Sequence, residues 1–197
     1  SQEMPEFDIY GDDDDERTSI GEADPLGPMG EALNDSLAEL AAFVVESGRL
    51  DAAGGDALQA MELQRQGQND AAIQAYLRAE SGLRHPALKL GLGVLLVLEE
   101  RSKEATAHLG EAITSPTLAP GAMHALGRAH YLMGEQRKAA RFLIQSLQAV
   151  DTGLAVNTEE VAELAEVYSR LLAALDGRTD DSLVAINARF LDLLSGR

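Results

Sequence analysis

Small residues recur along this chain at a spacing that few folds can use. Gly93 is followed by Gly127 after 34 residues, and Ala72, Ala105 and Ala139 follow one another at 33 and 34. A fixed period in this range marks a supersecondary unit that cannot bury its own apolar face and therefore stacks on its neighbours. Each unit accommodates two amphipathic helices of about a dozen residues with a turn between them. The expected pairs are 54–66 with 69–82, 86–98 with 102–114, and 120–133 with 136–150. Glycine or alanine at 93, 105, 127 and 139 then marks where paired helices touch, and Leu96, Leu109 and Leu143 fill the gaps beside them.

Composition agrees with an all-α reading. Apolar residues make up 45% of the 197, led by Ala and Leu, while aromatics are 4% and Trp is absent, which favours helices over a sandwich or barrel. Without Cys there is no disulfide framework, thiolate nucleophile or Cys-based zinc site, and a chain of this length buries a core without such staples. Residues 1–30 read as an acidic, disordered tail rich in Gly and Pro. Residues 31–51 read as an N-terminal helix carrying Leu33, Leu37, Leu40 and Val44 and ended by Gly48. The repeats occupy 52–152. Beyond them, 153–197 supply two capping helices, one capped by Asn157 or Thr158 and running to about Leu175, the other from Asp181 to Leu194.

These spacings resemble the tetratricopeptide repeat family. The third unit carries Leu126-Gly127 in its first helix, Gly134 at its end, then Ala139, Leu143 and Ser146; the second carries Leu92-Gly93, Leu96, Ala105, Leu109 and Ala112. The first carries Ala60, Leu63, Gly67, Ala72, Tyr76 and Ala79. Two positions depart from the pattern: Glu100 stands where a helix-ending Gly is expected, and Gln59 where Leu is usual. The resemblance implies an α-α superhelix of helical hairpins, with the N-terminal helix and the C-terminal helical pair flanking it.

The net charge of −17 is concentrated at one end. Residues 1–31 hold eleven acids and one base, against 22 acids and 15 bases in the rest. No basic footprint exists for nucleic acid or an anionic membrane surface, so neither is expected as a partner. The start, "SQEMPEFDIYGDDDDE", lacks the basic-then-apolar pattern of a leader, and the longest apolar run, Val94 to Leu98, is too short to span a bilayer. A cytoplasmic protein without membrane insertion is the expectation.

Catalytic and metal chemistry find no footing in the sequence. The histidines at 85, 108, 124 and 130 form no i,i+4 pair, Gly91-x-Gly93 lacks the rest of a dinucleotide fingerprint, and no nucleophile-elbow or phosphate-loop sequence occurs. "DDDDE" fails as a calcium loop, since Arg17 stands at the obligatory Gly and Ala23 at the closing Glu. No enzyme, metal or cofactor is expected. His130 reads as a packed core residue and His124 as facing the inner surface of the array.

Binding is the expected function. In a stacked array the first helices of successive units line the concave face. Their outward residues by helical phase are Ala57, Met61, Gln64 and Arg65, then Leu90, Val94, Val97 and Leu98, then His124, Arg128, Tyr131 and Leu132. The apolar middle group suits a partner helix or peptide from another protein, with Arg65 and Arg128 offered to partner acids; the alternative is that another part of the chain, the N-terminal helix or tail, covers it. The carboxylate clamp of some tetratricopeptide proteins is not matched, because Ala57, Met61, Gly91, Gly121 and Ala125 occupy the corresponding sites. Phe7, Ile9 and Tyr10, set among acids, form a candidate docking motif. Leu183, Phe190 and Leu194 form a candidate self-association surface, since the last helix is apolar on more than one side. The leading expectation is a non-enzymatic adaptor or scaffold. Its alternatives are a structural subunit joined through the last helix and the acidic tail, and a chaperone resembling the acidic, three-repeat secretion chaperones.

Overall fold

Three turns with one geometry organise the molecule. In the computed structural model, which describes residues 26–48 and 51–195, the carbonyls of Leu63, Leu96 and His130 accept hydrogen bonds from the N–H groups of Gln68, Arg101 and Glu135 at 2.9, 2.8 and 2.9 Å. Gly67, Glu100 and Gly134 sit inside these turns with φ of 71°, 58° and 76°. This is the Schellman closure, in which a left-handed residue lets a helix stop and satisfies its last carbonyls. Glu100 adopts the conformation that its two glycine counterparts adopt.

Each turn joins an antiparallel pair: α2 (Ala52–Arg65) with α3 (Asn69–Glu80), α4 (Pro86–Leu98) with α5 (Ser102–Ala112), and α6 (Ala119–Leu132) with α7 (Gln136–Leu154). Within the pairs the small residues do what their spacing predicts. A Cβ on Gly93 would lie 2.6 Å from Leu109 Cδ2, and one on Gly127 2.5 Å from Leu143 Cδ2, so each leucine fills the space a side chain would have taken. Ala60 and Tyr76 occupy the equivalent positions of the first pair, both buried. Ser146 Oγ donates to the Pro120 carbonyl at 2.8 Å and ties α7 to α6. Successive pairs stack through α3 on α4 and α5 on α6. The described residues are all-helical, and their packing is consistent with an α-α superhelix.

The flanking helices depart from expectation in three ways. First, α1 spans Pro28–Glu46, starting before 31, with Pro28 at its first turn and Gly48 (φ 61°) closing its end. Its buried face is Met29, Ala32, Ser36, Leu40 and Val44, while Leu33 and Leu37 are half-buried. Second, the expected C-terminal pair, α8 (Thr158–Ala174) and α9 (Asp180–Ser195), meets chiefly through α7. Each packs on α7 separately, and α9 reaches α6 as well. These neighbours cover Leu183 and Leu194, while Val184 and Leu193 stay exposed at 41 and 53%. Third, Leu183 and Leu194 are buried by that packing and Phe190 is half-buried against the same cluster, so they are core residues of this end of the molecule. Asn157 caps α8 as expected, its Oδ1 accepting from Glu160 N–H at 2.9 Å. Among the described residues no helix is long and apolar enough to cross a membrane.

Candidate functional site

Where the sequence suggests an apolar concave groove, the structure places α1. This helix packs against α4 and α6 rather than chiefly on its chain neighbour α2. Its start is pinned by close approach: a Cβ on Gly121 would lie 2.2 Å from Ala32 Cβ and 2.4 Å from the Pro28 carbonyl oxygen. Only glycine at the head of α6 lets α1 come so near. Gly27, with φ 52°, passes directly against the Leu194 carbonyl at the end of α9. Further along, Thr117 Oγ1 donates to Glu39 Oε1 at 2.7 Å, and the Phe43 and His85 rings lie 4.7 Å apart. Burial pushes His85 below the usual histidine range, an effect opposed by Glu39.

This arrangement sorts the expected groove residues into two sets. Ala57, Leu90, Val94 and Val97 are buried in one core cluster with α1, and His124 is buried on α6. The surface expected to stand open is therefore covered by the chain's own helix. Met61, Gln64, Leu98, Arg128 and Tyr131 are half-buried, while Arg65 and Leu132 are exposed, Leu132 at 49%. These lie toward the C-terminal ends of α2, α4 and α6. Arg65 is engaged locally, its guanidinium holding both oxygens of Glu62 at 3.0 and 3.1 Å, which lowers the Glu62 pKa. Gln64 Oε1 accepts from the Tyr76 hydroxyl at 2.8 Å. Neither side chain is disposed as a ready contact for a partner.

His124 is the unusual member. The same repeat position holds Ala57 and Leu90 in the preceding pairs, all three with 1% exposure or less. Its Nδ1 has no hydrogen-bond partner. Burial first, and the Arg128 charge one turn along second, push its pKa down to about 4, so at neutral pH an uncharged imidazole is buried on α6. His130 is different: Glu135 Oε2 lies 2.6 Å from its Nδ1 and its ring stacks on Phe142 at 5.4 Å, as befits a packed residue.

A charged cluster around the buried Lys89 lies where the first two pairs meet. Lys89 Nζ on α4 bonds Glu80 of α3, and Glu111 of α5 at 3.0 Å, with His108 Nδ1 3.3 Å from the same Glu80 oxygen. The two carboxylates raise the Lys89 pKa against the opposing effect of its burial. The four side chains come from three helices and serve to lock one pair on the next. Among the described residues no group of three His, Cys, Asp or Glu is arranged to hold a metal ion. The motif Phe7, Ile9 and Tyr10 lies outside the described residues, as does the acidic run.

Sequence reasoning missed Gly121, Ala32 and Pro28 as the contact that seats α1. A signal was present: α4 is apolar around its whole circumference, and a helix of that kind is covered on every side. Comparison of the chain with family models, curated proteins and solved structures finds no match.

Proposed function

We propose that this chain is a non-enzymatic protein-interaction module of tetratricopeptide type, whose stacked pairs take up an amphipathic helix across α4 and α6, and that α1 is such a helix held in cis. One observation supports this reading above the others. A segment remote in sequence, with a face of small and apolar residues at 29, 32, 36, 40 and 44, lies across the first helices of two successive units. Helix-in-groove recognition uses this spacing of anchors. The adaptor function is then the exchange of α1 for a partner helix, and a tethered occupant sets a threshold that a partner must exceed.

Displacement tests it. The chain has no cysteine, so Val45→Cys on α1 and Leu132→Cys on α6, both at exposed positions, can carry a donor and an acceptor dye. A synthetic helix of residues 26–48 added in excess should reduce energy transfer while the far-ultraviolet circular dichroism persists. Energy transfer unchanged at every peptide concentration would mean that α1 is a permanent part of the core.

A second reading, assembly through the C-terminal end, is favoured by a different surface from the one the sequence suggests. Leu154, Val156, Val167 and Leu171 are exposed at 72, 87, 51 and 41% around α8. Self-association through α8 predicts a concentration-dependent mass by sedimentation that Val167→Lys with Leu171→Lys abolishes.

A further inference from the structure

Helices α1 and α7 both pack on α6 but barely on each other, and a groove remains between them. The first turn of α6 forms its floor through Pro120 and Gly121. Glu31 and Asp35 of α1 line one wall, and Val150 and Leu154 of α7 line the other. The cavity measures about 280 Å³, with room for aliphatic side chains. Leu154 is 72% exposed at its rim, and Val156, two residues on, is 87% exposed. Large apolar side chains left open beside a groove mark a surface that a partner can cover.

The surroundings of this groove carry one sign of charge. No Lys or Arg occurs in residues 28–48, 104–127 or 142–169, the stretches that supply its walls and floor. Elsewhere acids are met by cations: Glu62 by Arg65 at 3.0 Å, Asp56 by Arg78 at 2.8 Å and Glu135 by Lys138 at 3.0 Å. The side chains of Glu31 and Asp35 have neither a hydrogen bond nor an ion pair among the described residues. Four residues apart, they lie on one side of α1, one turn from each other. Residues 1–25 hold ten acids and one base, so like charge argues against that segment as the occupant. A second copy of this chain, with a net charge of −17, is disfavoured in the same way.

We propose that this groove is a second interaction surface, independent of the exchange of α1, and that its occupant is a basic amphipathic helix of another protein. An aliphatic side chain of that helix enters the cavity beside Leu154, and two Lys or Arg residues one turn apart meet Glu31 and Asp35. Charge selects and orients the partner, while apolar burial holds it. Both walls are needed, so the surface exists only while α1 is seated, and its occupant stabilises that seated form.

The probe is a fluorescein-labelled helical peptide of leucine and lysine with its lysines four apart, titrated against the full chain by fluorescence anisotropy at physiological ionic strength. It should bind with one-to-one stoichiometry. Glu31→Lys with Asp35→Lys should weaken binding roughly tenfold or more, and Leu154→Gln should weaken it several-fold. Lysine in the first turn of α1 opposes the helix dipole, so Glu31→Gln with Asp35→Asn supplies a milder pair that should also weaken binding. The control is Asp70→Lys with Asp181→Lys, in the first turns of α3 and α9, which changes the net charge equally. That pair should leave the affinity within about twofold. Energy transfer between dyes on Val45→Cys and Leu132→Cys should not change when the peptide binds. Three results would overturn the assignment: no binding to the native chain, equal weakening by the control pair, or a fall in energy transfer. The last would mean that the peptide displaces α1, and would support exchange while removing this groove.

Discussion

Helices α4 and α8 illustrate two fates of an amphipathic segment in one chain. Eleven of the 13 residues of α4 are buried, because α5, α3, α6 and α1 approach it from different sides. Of the 17 residues of α8, Tyr168 is the buried one, its hydroxyl donating to Asp151, and α7 is its main neighbour. Both helices are well formed, with caps at their starts from His85 and Asn157. Local propensity therefore does not separate them; the number of elements laid against each does. A repeat secures one neighbour for every helix, namely its hairpin partner, and the non-repeating segments decide which of the remaining faces meet water.

The largest expected effect breaks this contrast directly. Val94→Asp places a carboxylate among side chains with no exposure and no partner for it, and should cost about 4 kcal/mol or more, enough to abolish the cooperative unfolding transition. The same change at Val167, half-exposed on α8, should cost within about 0.5 kcal/mol. Urea denaturation of the two variants measures both. Near-equal costs would mean that α4 is not the centre of the core. Since Val94 is covered by the chain itself, a polar substitution there reports on stability rather than on an open binding face.

Acid should act on the core at α6 before it acts on α8. His124 has a folded pKa of about 4 against 6.5 for a free histidine, so the unfolded chain binds a proton first as pH falls. The stabilising preference for the neutral ring is fully present above pH 6.5, is lost progressively down to about 4, and stays lost below it. Carried through at 1.36 kcal/mol per pH unit, the loss amounts to about 3 kcal/mol. His85, lowered by burial where α1 meets α4, adds in the same direction. Unfolding free energies between pH 7 and 4 should show this slope in the native chain and a shallower one in His124→Leu. Equal slopes would place the acid sensitivity elsewhere.

Two glycines inside helices sharpen the distinction further. Gly127→Ala drives a Cβ into Leu143 Cδ2 and Cγ at 2.5 and 2.6 Å and should destabilise by about 1–3 kcal/mol, some of it offset by the better helix propensity of alanine. Gly110 on α5 faces open space, so Gly110→Ala should stabilise by about 0.5–1 kcal/mol. Thermal denaturation would separate them by sign, and the same sign for both would contradict the close contact of α6 with α7.

These positions also show how much the sequence revealed. The hairpins were legible because Gly93, Gly127, Ala105 and Ala139 repeat a contact between helices adjacent in the chain, and period is a local property. That the N-terminal helix could cover the apolar face was legible as an alternative; the contacts that seat it were not, for two reasons. Its reading named Leu33, Leu37, Leu40 and Val44; Leu40 and Val44 are buried, whereas Leu33 and Leu37 are half-buried and close approach to α6 selected Ala32. Gly121, which admits α1, has no counterpart in the period. The last helix misled in the opposite sense: Leu183 and Leu194 look like surplus apolar surface until α6 and α7 are both placed beside α9. Contacts between repeating and non-repeating segments leave no period to read.

Glu100 gives a small expected effect and the most direct test of the repeat itself. It is the non-glycine member of the series Gly67, Glu100, Gly134, and among the described residues it is the non-glycine residue with positive φ, at 58°. An L residue there bears a steric cost of roughly 1 kcal/mol, because its Cβ crowds the following carbonyl. The turn nevertheless closes with the same bonds as its neighbours, Arg101 N–H to the Leu96 carbonyl at 2.8 Å and Glu100 N–H to the Val97 carbonyl at 3.1 Å. The conformation is thus imposed by the packing of α4 on α5 and not by the residue at the turn. Glu100→Gly should remove the strain and return part of the gain to the greater freedom of the unfolded chain, leaving a net stabilisation of about 0.5–1 kcal/mol. A gain of that size in thermal unfolding would show that the second turn obeys the geometry of the first and third. A loss would mean that the Glu100 side chain stabilises the turn in a way its two counterparts do not, and the three units would no longer be equivalent.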